Sequence, residues 1–200
     1  MKKLSVADLG TLENYQQQRP AIRRAIIDHK KNRRVPLGPN ASLHFEDYLT
    51  MKYQVQEMMR AERLSDDAAL AEEIEAYNPL IPDGSNLKAT FMIEYPDETV
   101  RKQALKNLIG IEHKIAIQIE GFDPVRAIAN EDLERSDGEK TSAVHFLRFE
   151  FTPAMIAAAR AGAAWHIHCD HPAYQHSLSP LPEETASSLS RDFAEQSLSK

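Results

Sequence analysis

The densest set of side chains able to do chemistry lies in Trp165-His166-Ile167-His168-Cys169-Asp170-His171. Read as a strand, the run places His166, His168 and Asp170 on one face and Trp165, Ile167 and Cys169 on the other. Two imidazoles at alternate positions can ligate one metal ion, and a carboxylate supplies a third ligand. If this strand lies antiparallel beside the one that ends near Glu94, that carboxylate reaches the same face. Glu94, His166, His168 and Asp170 are therefore the candidate metal set, suited to iron, manganese or zinc. The bland alternative is a row of polar residues on a solvated sheet. His171, ahead of Pro172, reads as a turn residue.

A second set is basic. Residues 19–34 carry seven Lys and Arg against a single acid, Asp28. Lys30, Lys31, Arg33 and Arg34 are the candidate anion site, for a phosphate, a nucleic-acid backbone or an acidic partner. Cations at a helix C-terminus are also favoured by the helix dipole, which gives the alternative of a solvated or internally paired face. The acidic stretch 57–75, with seven acids and two Arg, could supply the pairing in cis or in a dimer. No aromatic residue interleaves the basic ones, so base stacking is unsupported and nucleic acid is not the expected partner.

Three smaller features read structurally. Pro82-Asp83-Gly84-Ser85-Asn86 has the composition of a tight turn, with Gly84 free to take positive φ, and it lacks the spacing of a phosphate loop. His145 shares its strand face with Leu147, Phe149 and Phe151 and reads as a buried, hydrogen-bonded histidine. Arg148 and Glu150 face the other side with Phe146, where Lys88, Glu94 or Glu120 would pair with them. No Gly-x-Ser-x-Gly elbow is present, and Cys169, if inward, is a small core residue rather than a nucleophile.

The elements that must position these residues fall into two halves. The first reads helical: 6–18 behind Ser5, a second helix starting at Pro20 and running to about 32, then 46–63 and 66–76, with a short strand at 41–45. The second half alternates at 87–95, 115–119, 143–151 and 163–170, with capped helices at 98–109 and from Pro153 to Gly162. A short strand at 124–129 and a polar loop at 130–142 lie between. Strand, cap, helix, Gly, strand occurs twice. The fold expected is α+β, a helical N-terminal half packed on an antiparallel sheet with a ferredoxin-like βαβ-βαβ pattern. The division expected is 1–80 helical, 81–175 ferredoxin-like and in one unit with the first, and 176–200 a mobile, Ser-rich tail. Residues 183–196 could still dock as a helix through Ala186, Leu189 and Phe193.

Composition narrows the function classes. The chain has 200 residues, net charge −6, 42% hydrophobic and 27% charged residues, which excludes wholesale disorder and a general nucleic-acid coat. One cysteine excludes an internal disulfide framework and CxxC chemistry, and it agrees with a reducing compartment. The run after Met1-Lys2-Lys3 is broken by Asp8, Gly10, Glu13 and Asn14, and no apolar stretch suffices to span a bilayer. A cytoplasmic protein without membrane association is expected.

Longer runs carry a family resemblance. They are His29-Lys30-Lys31-Asn32-Arg33-Arg34, Leu37-Gly38-Pro39, Phe45-Glu46-Asp47, Tyr53 to Met58, Tyr77 to Thr90, Thr141 to Phe149, and Asp170-His171-Pro172-Ala173-Tyr174. Across most of residues 5–175 the chain resembles an uncharacterised bacterial family of domains of unknown function, number 3501, and Asn-Pro-Leu-Ile-Pro-Asp-Gly-Ser-Asn is its most specific run. The resemblance implies no catalytic residues. It implies a setting, because genes of the family often lie near those for rubrerythrin and an iron–sulfur oxidoreductase-like protein. The reading that follows is an accessory or ligand-binding protein linked to iron-dependent oxygen or peroxide defence, with a rubrerythrin-like or iron–sulfur protein as partner. A metal-dependent enzyme using the sheet-face histidines, and a nucleotide or RNA binder using residues 19–34, are the alternatives.

Overall fold

Alternating segments become strands and capped segments become helices. The computed structural model describes residues 2–194. In chain order it contains α1 (Val6–Leu9), α2 (Leu12–Lys31), β1 (Arg34–Pro36), β2 (Ala41–Glu46), α3 (Tyr48–Glu62), α4 (Asp67–Tyr77), β3 (Asn86–Ile93), α5 (Glu98–Asn107), β4 (Ile115–Ile119), β5 (Val125–Arg126), β6 (Ile128–Ala129), β7 (Val144–Glu150), α6 (Pro153–Arg160), β8 (Trp165–His171), β9 (Tyr174–Leu178) and α7 (Glu183–Ser190). Single 3-10 turns lie at Asn78–Leu80 and Ile111–Lys114. Side-chain caps set the helix starts: Thr11, Asp47, Asp66, Asp97 and Thr152 each accept a backbone N–H from the first turn. Pro20, expected to open a helix, lies inside α2, which runs unbroken from Leu12 to Lys31.

The fold is α+β with two antiparallel sheets, ordered β1-β2-β3-β7-β6 and β5-β4-β8-β9. The ferredoxin-like pattern does not form. In that arrangement β3 and β8 are neighbours, but here β3 is flanked by β2 and β7, and β8 by β4 and β9. The segment 125–129 pairs first with β4 and then with β7, so one short stretch passes from one sheet to the other. The physical reason is face coverage. Leu43, Phe45, Leu87, Phe91 and Phe149 from one sheet share a single core cluster with Ile115, Ile117, Trp165 and Ile167 from the other. Each sheet covers the other's apolar face.

The first eighty residues contribute to both a sheet and a helical layer. The 1–80 region supplies β1 and β2 to the larger sheet, while its helices bury Leu9, Tyr15, Met51, Val55, Met59, Leu70 and Ile74 in a second cluster. In the segment expected as a tail, the described residues through 194 carry regular structure: β9 extends the smaller sheet, α7 follows, and Leu181, Leu189 and Phe193 are buried. Phe193 stacks on Trp165, with ring centroids 6.0 Å apart. The part of the expected tail from 195 to 200 lies outside the described residues. Among the described residues no helix is long and apolar enough to cross a membrane.

Candidate functional site

The outward faces of the two sheets hold most of the residues singled out by sequence, but not in the combination expected. On β8, burial alternates, and His166, His168 and Asp170 do share the outer face. Their neighbours then separate them chemically. His166 Nδ1 is engaged by Ser179 Oγ, and Asp170 is bound by Arg126 at 2.6 Å, which holds its carboxyl below the usual range. Burial and the same Arg126 lower the pKa of His168. Glu94 belongs to the other sheet's side of the molecule, just past β3. Among the described residues no group of three or more His, Cys, Asp or Glu side chains is arranged to hold a metal ion.

The basic segment is divided in a similar way. Alternation along the chain sends Arg33 inward and Arg34 outward. Arg33 is 2% exposed, and its guanidinium donates to the carbonyls of Phe45 (3.0 Å), Glu46 (3.2 Å) and Ser188 (3.3 Å) and to the Asp192 carboxylate. Asp47 lies 3.4 Å away and accepts from His29 as well, at 2.6 Å. Burial pushes Asp192 up to about 6 against the pull of Arg33. This buried cluster ties α7 to β2 and cannot meet an outside anion. Lys31 pairs with Asp28. Arg19 makes two bonds to Glu57, at 2.7 and 2.8 Å, a pairing in cis with the acidic stretch.

Two residues from different candidate sets do meet. Arg34 donates to both oxygens of Glu94, at 3.1 and 3.2 Å. Glu94 Oε2 also accepts from Ser42 Oγ at 2.7 Å, and Ser42 Oγ lies 3.0 Å from His44 Nε2. The Ser42 bond, helped by Arg34, holds Glu94 below the usual carboxylate range. A hydroxyl has one proton. With Glu94 ionised, Ser42 gives that proton to the carboxylate, so His44 Nε2 must be the N–H donor to Ser42. Nδ1 then carries the lone pair, and it has no hydrogen-bond partner among the described residues. Burial, with Arg34 and Lys30 nearby, lowers the pKa of His44 and favours the neutral ring.

Strand register builds this cluster. Arg34 is opposite His44, His44 opposite Thr90, and Thr90 opposite Phe146, a row across β1, β2, β3 and β7. At ~4.8 Å per step the row spans roughly 14 Å of one open face. Next to it run Glu46, Lys88 and Arg148. Ser42 and His44 were missed in the sequence, where 41–45 was read only as a short strand. Their signal was present: Ser42, His44 and Glu46 are polar residues at alternate positions.

A second imidazole–carboxylate pair lies inside. Glu112, in the second 3-10 turn, is 1% exposed and His145 on β7 is fully buried. Glu112 Oε1 accepts from Asn130 Nδ2 (3.4 Å) and Ser136 Oγ (3.3 Å) and is 3.9 Å from His145 Nδ1. His145 Nε2 is 3.0 Å from both Thr141 Oγ1 and Ser142 O, and Nδ1 is 3.2 Å from Asn130 Oδ1. Asn130 holds φ 55° to make these contacts. Burial lowers the pKa of His145. Glu112 Oε2 has no hydrogen-bond partner among the described residues. The buried, bonded histidine expected from the sequence is found. The Pro82–Asn86 run is a turn held by Asp83, whose carboxylate accepts from Ser85 and Asn86.

Comparison with known proteins adds a lineage. The profile of DUF3501, described as a protein of unknown function, matches residues 3–193. A crystal structure of a novel protein of unknown function from Burkholderia pseudomallei K96243 is 46% identical, with 96% of this chain and 100% of that chain covered and a TM-score of 0.92. No curated protein matches.

Proposed function

This chain belongs to the DUF3501 family of proteins of unknown function, and from that premise we propose that it is an accessory protein that binds a small organic anion on the open face of its larger sheet. One observation carries the reading. His44 is a neutral imidazole whose Nε2 is fixed through Ser42, Glu94 and Arg34, leaving Nδ1 as an oriented acceptor beside two cations. Arg34 is 56% exposed at its side chain and spends only one terminal nitrogen on Glu94, and Lys30 has no ion-pair partner among the described residues. A ligand acid would be held by these cations, while its own O–H or N–H donates to Nδ1. The chain Glu94–Ser42–His44 also makes Nδ1 a proton acceptor, because a carboxylate-bound hydroxyl stabilises the Nε2–H that faces it. Supporting an accessory role is the gene association implied by the family resemblance, which makes a rubrerythrin-like or iron–sulfur protein the proposed partner.

The test is a titration of the full chain with glycolate, which carries a carboxylate and a hydroxyl donor, followed through the ring resonances of His44 at neutral pH. Saturable shifts of His44, lost in the Lys30→Gln and Arg34→Gln double variant, are expected. Unmoved His44 resonances at saturating glycolate overturn the reading.

A further inference from the structure

The same sheet face holds a lysine in an unusual position. Lys88 is half-buried on β3, the central strand of the larger sheet, and lines a cleft of about 310 Å³ with Ala76, Pro79, Leu80 and Phe146. Its ammonium makes no hydrogen bond or ion pair among the described residues. Directly across the strand pair stands Arg148, a second cation, which bonds Glu131 at 2.8 Å from two nitrogens and Glu150 at 2.9 Å. On the other side of Lys88 is Glu46, whose Oε1 instead accepts from Thr90 at 2.9 Å. Asp83, Glu131 and Lys3 complete the charged surroundings. Lys3 supplies the contrast: it is also partly buried, but its ammonium donates to the carbonyls of Asn78 (2.9 Å) and Ile81 (2.7 Å). Lys88 has a cleft with an apolar side, formed by Ala76, Pro79, Leu80 and Phe146, and a cation where Lys3 has acceptors.

We infer that Lys88 is a reactive amine whose cleft takes an aldehyde or ketone with an apolar body and holds it as a reversible imine. An ammonium loses stability when it is desolvated and set beside another cation, and the neutral amine is the nucleophile. Burial first, and Arg148 second, lower the pKa of Lys88 accordingly. In the reaction the nitrogen lone pair forms an N–C bond to the carbonyl carbon as the C=O π pair moves to oxygen. One proton passes from nitrogen to that oxygen. The carbinolamine then expels its hydroxyl, protonated by solvent, as water, and loss of the remaining N–H proton leaves C=N. No oxidant or reductant is needed, and hydrolysis reverses the sequence. Phe146 and Leu80 would hold the apolar body, and the Glu131 and Asp132 carboxylates on the cleft wall disfavour a carbonyl compound that also bears an acid. This separates the cleft from the anion site around His44.

The experiment is reductive trapping of the full chain with hexanal and cyanoborohydride at pH 7, with each lysine quantified by peptide mass spectrometry. Lys88 is expected to be alkylated at least tenfold faster than the exposed Lys102 and Lys106. A parallel reaction with formaldehyde, which needs no cleft, reports the amine alone. Phe146→Ala and Leu80→Gln should reduce hexanal trapping at Lys88 severalfold and leave formaldehyde trapping unchanged. Lys88 reacting no faster than the exposed lysines with either reagent overturns the inference. Hexanal trapping that survives both cleft variants overturns the substrate class.

Discussion

The open and closed imidazole–carboxylate clusters are built from similar parts and finished in opposite ways. Around His44 the carboxylate is satisfied: Glu94 is held by Arg34 and Ser42, and an imidazole nitrogen is left over. Around His145 the imidazole is engaged at both nitrogens, and a carboxylate oxygen of Glu112 is left over. The leftover group on the open face meets solvent at little cost and is available to a ligand. The leftover oxygen inside is a desolvated polar atom, which costs stability and offers nothing to an outside molecule. Chemistry at a surface and order in a core thus follow from which member of the pair is left without a partner.

The largest expected effect separates the two histidines by stability. His145→Ala removes a fully buried ring and strands Asn130, Ser142 and Thr141, so a loss of about 3 kcal/mol or more is expected in urea denaturation. His44→Ala, on a half-exposed face, should cost under about 1 kcal/mol. Equal costs would break the comparison.

Binding should invert that order. The Lys30→Gln and Arg34→Gln double variant should weaken glycolate binding about tenfold, since removing charged partners of an anion is worth roughly 1–2 kcal/mol. His145→Gln, if folded, should leave it unchanged. A calorimetric titration of both variants decides between them.

The pH response sharpens the contrast further. Burial lowers His145 in the folded state, so below about 6.5 the unfolded chain binds more protons and stability falls as pH drops toward the folded value. Asp192 works in the other direction: raised to about 6, it takes up its proton in the folded state first, and stability is lost as pH rises through 6. Stability measured from pH 7 to 5 should therefore decline more in the wild type than in His145→Gln, where the Asp192 contribution remains. Parallel curves would remove His145 from the account.

A smaller effect is expected from Glu112→Gln, which replaces the unpartnered carboxylate by an amide of the same shape. Stability at pH 7 should rise by about 1 kcal/mol. A clear loss would mean that the carboxylate charge itself is being used inside. The smallest effect belongs to the other sheet: the His166→Ala and His168→Ala pair should change glycolate affinity less than twofold, because neither ring touches the Arg34–Glu94 cluster.

Local chemistry was legible wherever it rested on neighbours in sequence. The Asp97 and Thr152 caps and the alternation of 87–95, 115–119 and 143–151 became elements near the expected places. The outward sharing of His166, His168 and Asp170 and the burial of His145 followed from the same period of two. The ferredoxin-like pattern failed because a repeated strand–helix–strand order does not say which sheet a strand joins. β2 took the place beside β3, and β9 formed a hairpin with β8. At the C-terminal end the Ser-rich composition pointed to a mobile tail and the spacing of Ala186, Leu189 and Phe193 to a docked helix; a helix forms over Glu183–Ser190, with Leu189 and Phe193 buried.

By itself the sequence determined which faces are polar, where helices start and which histidine is buried, because those properties depend on periods of two and 3.6 and on caps a few residues away. Tertiary structure decided the partners. Arg33 and Arg34 are adjacent and chemically alike, yet one anchors α7 through Asp192 and the other holds Glu94 at a solvent-facing site. Glu94 was matched to the wrong histidine for the same reason. Its partner is set by the register of β1 and β2 against β3, a choice made by long-range pairing and shared burial, on which no local pattern reports.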